Sequence, residues 1–242
     1  MTFTLDDKAK IVMVTSSIPG EGKSTVAANL AMLSARRGVD TILVDGDLRK
    51  PVLHKIFEVP RQPGLNELQA EIRSILADRK IVGRYLGGDD RAGTDARPVT
   101  SPEGLQELVP IVESFFKSTP FENLRFLPSG SLNIDSTGIW FTHELELLLN
   151  ILRLCAGMVI LDMPPCLGLA DANVASRHVD GVLFCVAAGE TERRAIQRAL
   201  ANLDKMQAAM VGIVLNKVDQ MLMYGGRKYY KYYTRYYSDS RA

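Results

Sequence analysis

Cysteine and histidine are scarce in this 242-residue chain, three of each. Cys155, Cys166 and Cys185 are odd in number and lack CxxC spacing, which argues against a disulfide or zinc framework and suits buried thiols of a reduced compartment. His54, His143 and His178 show no metal-ligand spacing either. Long apolar runs are missing: Asp162 interrupts the best one, short of the roughly 18 residues of a membrane span. The first residues, MTFTLDDKAK, carry acids where a signal peptide needs bases, so the expected location is the cytosol. Net charge is only +1, so whole-protein electrostatics select no partner. Tyrosine, too, is almost absent from the body of the chain: of eight, only Tyr85 lies before the last stretch.

What is present is a regular alternation. IVMVT (Ile11 to Thr15) is β-branched and continuous, as in a strand buried on both faces. A Gly-rich turn follows, then a helix over Lys23 to Arg37 with Val26, Ala27, Leu30, Ala31 and Leu33 as its expected buried face and Gly38 as its stop. Further strands are predicted at 41–44, 124–127, 159–161, 182–186 and 211–215, and helices at 142–154 and 191–206. Such alternation predicts one α/β domain over residues 1–220, a mostly parallel sheet with helices on both faces, and a separate flexible Tyr-rich tail over 221–242. Residues 69–120 are the least regular. GRYLGGDDRAGTDARPVTSPEG reads as a loop, either a surface insertion or a partner-binding element. A helix is expected after it, capped by Ser101 with Pro102 in its first turn, and interrupted or kinked by Pro110.

SSIPGEGKST lies between the first strand and the first helix, where backbone N–H groups, a helix N-terminus and a lysine can enclose a polyphosphate. Gly20 and Gly22 allow close backbone approach, Lys23 would reach the β- and γ-phosphates, Ser24 would ligate Mg²⁺, and Thr25 would lie nearest the α-phosphate. Ser17 stands where the usual pattern has glycine. The second strand ends ILVDGDLRKP, with Asp45 and Asp47 two residues apart and on one side if the strand stays extended. Asp162 ends VILDMPP. Each acid alone equally suits strand-end solvation or a helix cap. Beside a phosphate loop, they read as the ligand end of a parallel sheet, with Mg²⁺ relieving their repulsion. Asn216 in VLNKVD is read as a contact to the nucleotide base or as a simple turn residue.

SSIPGEGKST, ILVDGDLRKP and VILDMPP, in this order and with a Tyr-rich end, resemble the Walker A, A′ and B motifs of the bacterial tyrosine kinases of capsule and exopolysaccharide export. The paired acids followed by Arg-Lys-Pro are the most discriminating part. Partition and division-site ATPases of the same fold usually carry a signature lysine where Ile18 stands here. The resemblance implies a P-loop NTPase fold and an autokinase that uses ATP and Mg²⁺ to phosphorylate its own tail in trans. It places Pro19, Gly20, Glu21, Gly22, Lys23, Ser24, Thr25, Arg49 and Asn216 on the nucleotide, and Ser24, Asp45 and Asp162 on the metal. Lys23, Asp45, Asp47 and Asp162 are the implied catalytic set, with Asp47 accepting the tyrosine proton. Arg49 would pair with these acids or contact the incoming tail.

The resemblance also implies a transmembrane polysaccharide co-polymerase as activator, a cognate tyrosine phosphatase, a homo-oligomeric ring and a place at the inner face of the cell membrane. The family's ExxRxxR-like contact helix has no match in the ten or so residues before the first strand. Either the sequence is a piece of a longer protein or assembly uses another surface. The implied phosphoacceptors are Tyr224, Tyr229, Tyr230, Tyr232, Tyr233, Tyr236 and Tyr237, with Arg and Lys between them and Gly225-Gly226 as a hinge. The rival reading is a partition-type ATPase whose basic aromatic tail binds nucleic acid or membrane. The tail favours the first: Trp and Phe are absent from it, stacking would accept any aromatic ring, and only phosphorylation needs the hydroxyl. No nucleic-acid partner is expected.

Overall fold

The computed structural model describes residues 10–78, 101–132 and 143–218. Seven strands form one sheet: β1 Lys10–Ser16, β2 Thr41–Asp45, β3 Lys117–Ser118, β4 Leu124–Leu127, β5 Met158–Asp162, β6 Gly181–Ala187 and β7 Met210–Asn216. Their order is β3-β4-β2-β5-β1-β6-β7, and every pairing is parallel except the β3–β4 edge. The described helices are α1 Lys23–Arg36, α2 Leu53–Ile56, α3 Leu65–Asp78, α4 Pro102–Glu113, α5 His143–Cys155, α6 Asp171–Ala175 and α7 Arg193–Lys205.

Successive side chains of a strand point to opposite faces, and the central strands feed two separate cores in that way. Ile11 and Met13 of β1, Ile42 and Val44 of β2, and Val159 and Leu161 of β5 pack with α3, α4, α5 and α7 on one face. Val14, Leu43 and Ile160 pack with α1 on the other, together with Phe57 and Phe126. The expected fold class, a mostly parallel sheet with helices on both faces, is the one observed.

Two expectations about helices need correction. The buried stripe of α1 is Ala27, Ala28, Ala31 and Ala35, and Leu33 is 57% exposed. At 3.6 residues per turn Leu33 lies about 200° around from Ala31, on the solvent side, while Val26 and Leu30 flank the alanine stripe. Pro110 does not interrupt α4, which runs on to Glu113. Pro110 and Gln106, whose carbonyl loses its usual donor, are both exposed, so water can take that carbonyl. The start of α4 is as expected: Ser101 caps it, accepting from the Gly104 N–H at 3.1 Å, with Pro102 in the first turn. The irregular stretch 69–120 contributes most of α3, all of α4 and the edge strand β3. Most of the stretch expected to be a loop, including Tyr85, and the tyrosine tail lie outside the described residues.

The topology sets the site. Register pairs Asp162 of β5 with Asp45 of β2 on one side and with Val14 of β1 on the other. The C-terminal ends of the three central strands therefore bring the loop after β1 and two strand-end aspartates to one place on the sheet edge.

Candidate active site

The loop from Ser17 to Gly22 leaves β1 and turns into α1. Gly20 and Gly22 both have left-handed backbone, φ 90° and 88°, which disfavours other residues there. A Cβ at Gly22 would also collide with the Asn216 amide nitrogen. Helix α1 starts with no side-chain cap and no acid in its first turn, so its first N–H groups are left for an anion. Pro19, Gly20 and Thr25 are exposed, whereas Lys23 and Ser24 are buried. Glu21 is buried as well, and its carboxylate turns inward: Oε2 accepts from the Ser17 hydroxyl at 2.8 Å and the Ile18 N–H at 2.7 Å, and Oε1 from the Thr191 hydroxyl at 2.6 Å.

Lys23 is the cation around which the acids gather. Its Nζ lies 2.8 Å from Asp47 Oδ2 and 3.4 Å from Asp162 Oδ1, and donates to Ser24 Oγ at 3.2 Å. β2 ends at Asp45, so Asp47 stands beyond the strand; its carboxylate still reaches Lys23 while accepting from the Lys50 N–H at 3.0 Å. Gly46 between them is tightly packed: a Cβ would sit 2.9 Å from the Asp162 carbonyl oxygen and 2.7 Å from Met163 Sδ. Asp45 is fully buried; one oxygen accepts from the Leu53 N–H at 3.3 Å and Oδ1 has no partner.

Two buried carboxylates thus contact one ammonium, and a third, Asp45, lies near enough to feel its charge. Burial pushes the Asp162 carboxyl up to about 6; Lys23 and the Ser24 hydroxyl oppose the rise and the charge of Asp47 adds to it. Burial, then repulsion from Asp162, raises Asp45 well above the ordinary carboxylate range. Lys23 is penalised by burial, but attraction to Asp162 and Asp47 outweighs that and holds its proton more tightly than usual. A site with this excess of negative charge favours a cation. Among the described residues no three His, Cys, Asp or Glu side chains form a metal cage. That is compatible with Mg²⁺, which is usually held by one or two carboxylates together with substrate phosphates. The orphaned Asp45 oxygen, Asp162 and the Ser24 hydroxyl are the groups that fit it.

Two of the singled-out residues have partners the sequence did not indicate. Arg49 donates through Nε to Asp171 Oδ2 at 3.1 Å, not to Asp45, Asp47 or Asp162. Asp171 opens the short helix α6 and is 2% exposed. Nothing in LADANVA marks it out beforehand. Asn216 donates from Nδ2 to the Glu21 carbonyl at 2.9 Å, so it holds the phosphate loop. The sequence likewise gives no sign of the role of Thr191. For Gly46, its place between two acids is the signal the sequence offers. The seven tail tyrosines lie outside the described residues.

A P-loop at the C-terminal edge of a parallel sheet, with strand-end aspartates facing its lysine, defines a nucleotide-binding domain. The chain belongs to the CobQ/CobB/MinD/ParA nucleotide binding domain family, whose signature matches residues 12–228. Within that class its curated relatives include bacterial tyrosine-protein kinases. It is 29% identical over 215 residues to the tyrosine-protein kinase CpsD of Streptococcus pneumoniae serotype 4, covering 88% of this chain and 78% of the relative. It is 27% identical over 213 residues to the tyrosine-protein kinase YwqD of Bacillus subtilis, covering 88% and 74%. The crystal structure of the chimerical protein CapA2B2 superposes with a TM-score of 0.68 at 26% identity, covering 88% of this chain and 77% of that one.

Proposed function

We propose that this chain is an ATP-dependent protein-tyrosine kinase that phosphorylates the tyrosines of its own C-terminal stretch in trans. The observation that carries the reading is the buried carboxylate of Asp47, 2.8 Å from the phosphate-loop lysine. It puts a proton acceptor beside the group that would hold the transferred phosphate. Gly20 to Thr25 and the N-terminus of α1 bind the phosphates, and Asn216 holds the loop through the Glu21 carbonyl. Ser24, Asp45 and Asp162 would hold Mg²⁺, which would supply neutralisation of phosphate charge there. Phosphates compete with Asp47 for the Lys23 ammonium, which releases Asp47 to accept a proton.

A phenol with pKa near 10 is a weak nucleophile at neutral pH. In the transfer, Asp47 takes the phenolic proton, the tyrosine oxygen bonds to the γ-phosphorus, and the bond from that phosphorus to the β,γ-bridging oxygen breaks, leaving ADP. Such a reaction depends mainly on positioning and charge, and a placed base contributes about 10²–10⁴-fold. Arg49, held by Asp171, has its remaining donors for the incoming tail or its phosphate. The setting we propose is bacterial capsule or exopolysaccharide export, with a transmembrane co-polymerase as activator, a tyrosine phosphatase as opponent and a homo-oligomer at the inner membrane face. No helix among the described residues is long and apolar enough to cross a membrane.

The test is Asp47→Asn in the full chain with Mg-ATP. Nucleotide binding stays within a few-fold of the parent while tail phosphorylation falls by at least about 10²-fold. Equal phosphorylation in parent and variant would remove Asp47 from the chemistry.

A further inference from the structure

An acid inside a phosphate-binding loop needs a physical account, because a free carboxylate there would repel the ligand. Glu21 is 1% exposed and three donors occupy its oxygens: the Ser17 hydroxyl, the Ile18 N–H and the Thr191 hydroxyl. The first two close the loop on itself. The third reaches 170 residues along the chain to the turn after β6. That turn is itself fixed, since the Thr191 N–H bonds to the Ala187 carbonyl at 3.1 Å and the Ala188 N–H to the Asn216 carbonyl at 2.8 Å. Asn216 in turn donates to the Glu21 carbonyl at 2.9 Å. Lys217 and Glu190 add an ion pair at 2.6 Å across the same two segments.

We infer that Glu21 and Thr191 are positioning residues for the nucleotide: with Asn216 they form a brace that fixes the phosphate loop to the ends of β6 and β7. This rests on the reading of that loop as the nucleotide site. The brace does what the missing first glycine cannot. With Ser17 in that position, the loop's shape is set by side-chain bonds to a buried carboxylate, and its N–H groups stay aimed at the phosphates. The negative charge is turned away from them and taken up by donors. A hydrogen bond to a buried charged group contributes more than a neutral one, and a carboxylate that loses such a donor cannot recover it from bulk water. Removing the Thr191 hydroxyl therefore loosens the loop without touching any group that meets the ligand.

The experiment uses the full chain and Mg-ADP as probe, with affinity measured by titration calorimetry. Thr191→Val weakens binding about tenfold, the effect of one charge-assisted hydrogen bond. Thr191→Ser restores affinity to within about twofold. The double variant Glu21→Gln/Thr191→Val loses less than the product of the single losses, because both act on one bond. Parent-like affinity in Thr191→Val, or no restoration by serine, overturns the brace. A loss of thermal stability without a change in affinity also overturns it, since that is the mark of a merely structural contact. The readout is independent of phosphoryl transfer: absence of tail phosphate would refute the kinase reading alone, and a parent chain that fails to bind Mg-ADP would refute both.

Discussion

At the scale of residues, the central fact is the charge imbalance around Lys23. Asp162 carries its proton up to a pH of about 6 in the folded state, against 3.8 ordinarily, and Asp45 is shifted in the same direction. Between these values the folded chain binds a proton that the unfolded chain has lost, so the contribution of Asp162 to stability falls as pH rises through this window. Without divalent cation, Asp162→Asn should therefore gain melting temperature relative to the parent on going from about pH 4 to pH 7. Mg²⁺ should stabilise the parent more at pH 7 than at pH 5, and the variant less at both. Thermal melts at the two pH values check this, and a Mg²⁺ effect equal in parent and variant would place the ion elsewhere. Gly46→Ala should cost about 1–3 kcal/mol, because its methyl group would press on the Asp162 carbonyl and Met163 in a packed interior. Denaturant unfolding measures that cost.

The acids were legible in the sequence because a charge that follows a fully apolar strand is out of place in a core. Their exact company was not. Arg49 lies two residues after Asp47 in the sequence, and that spacing says nothing about Asp171, which arrives from 122 residues away. Glu21 looked like part of the nucleotide contact because it lies within the loop. Only the fold brings Thr191 and Asn216 to it.

At the scale of elements, the strands were readable and the helix faces were less so. A strand buried on both sides is a short continuous apolar run, which few other structures need. Helix α1 is apolar on several sides, so its pattern does not say which side meets the sheet. Small size decides instead: alanines at 27, 28, 31 and 35 sit against the strands, and the larger leucine turns outward. Leu33→Ala should change stability by less than about 0.5 kcal/mol, whereas Ala31→Leu should cost about 1–3 kcal/mol by overpacking. Urea denaturation of the two variants compares them directly, and equal effects would contradict the assigned face. Residues 69–120 read as irregular because α3 and α4 flank a stretch rich in Gly, Asp and Arg, whose composition masks the helical pattern on either side.

At the scale of the whole molecule, the chain joins a nucleotide-binding domain to seven tyrosines set among basic residues. From Arg227 onward the sequence has five basic residues and one acid, complementary to an acidic site. Each phosphate adds about −1.5 to −2 charges, so about three would reverse the sign of the tail and favour its release. The measurement that tests this most directly is mass spectrometry of the tail in the native cells, where any activating partner is present. The chromosomal copy is replaced in parallel by the parent chain and by Lys23→Met. The account predicts phosphate on several of Tyr224 to Tyr237 in the parent and none in Lys23→Met. A parent tail without phosphotyrosine, or equal phosphate in both strains, would contradict it.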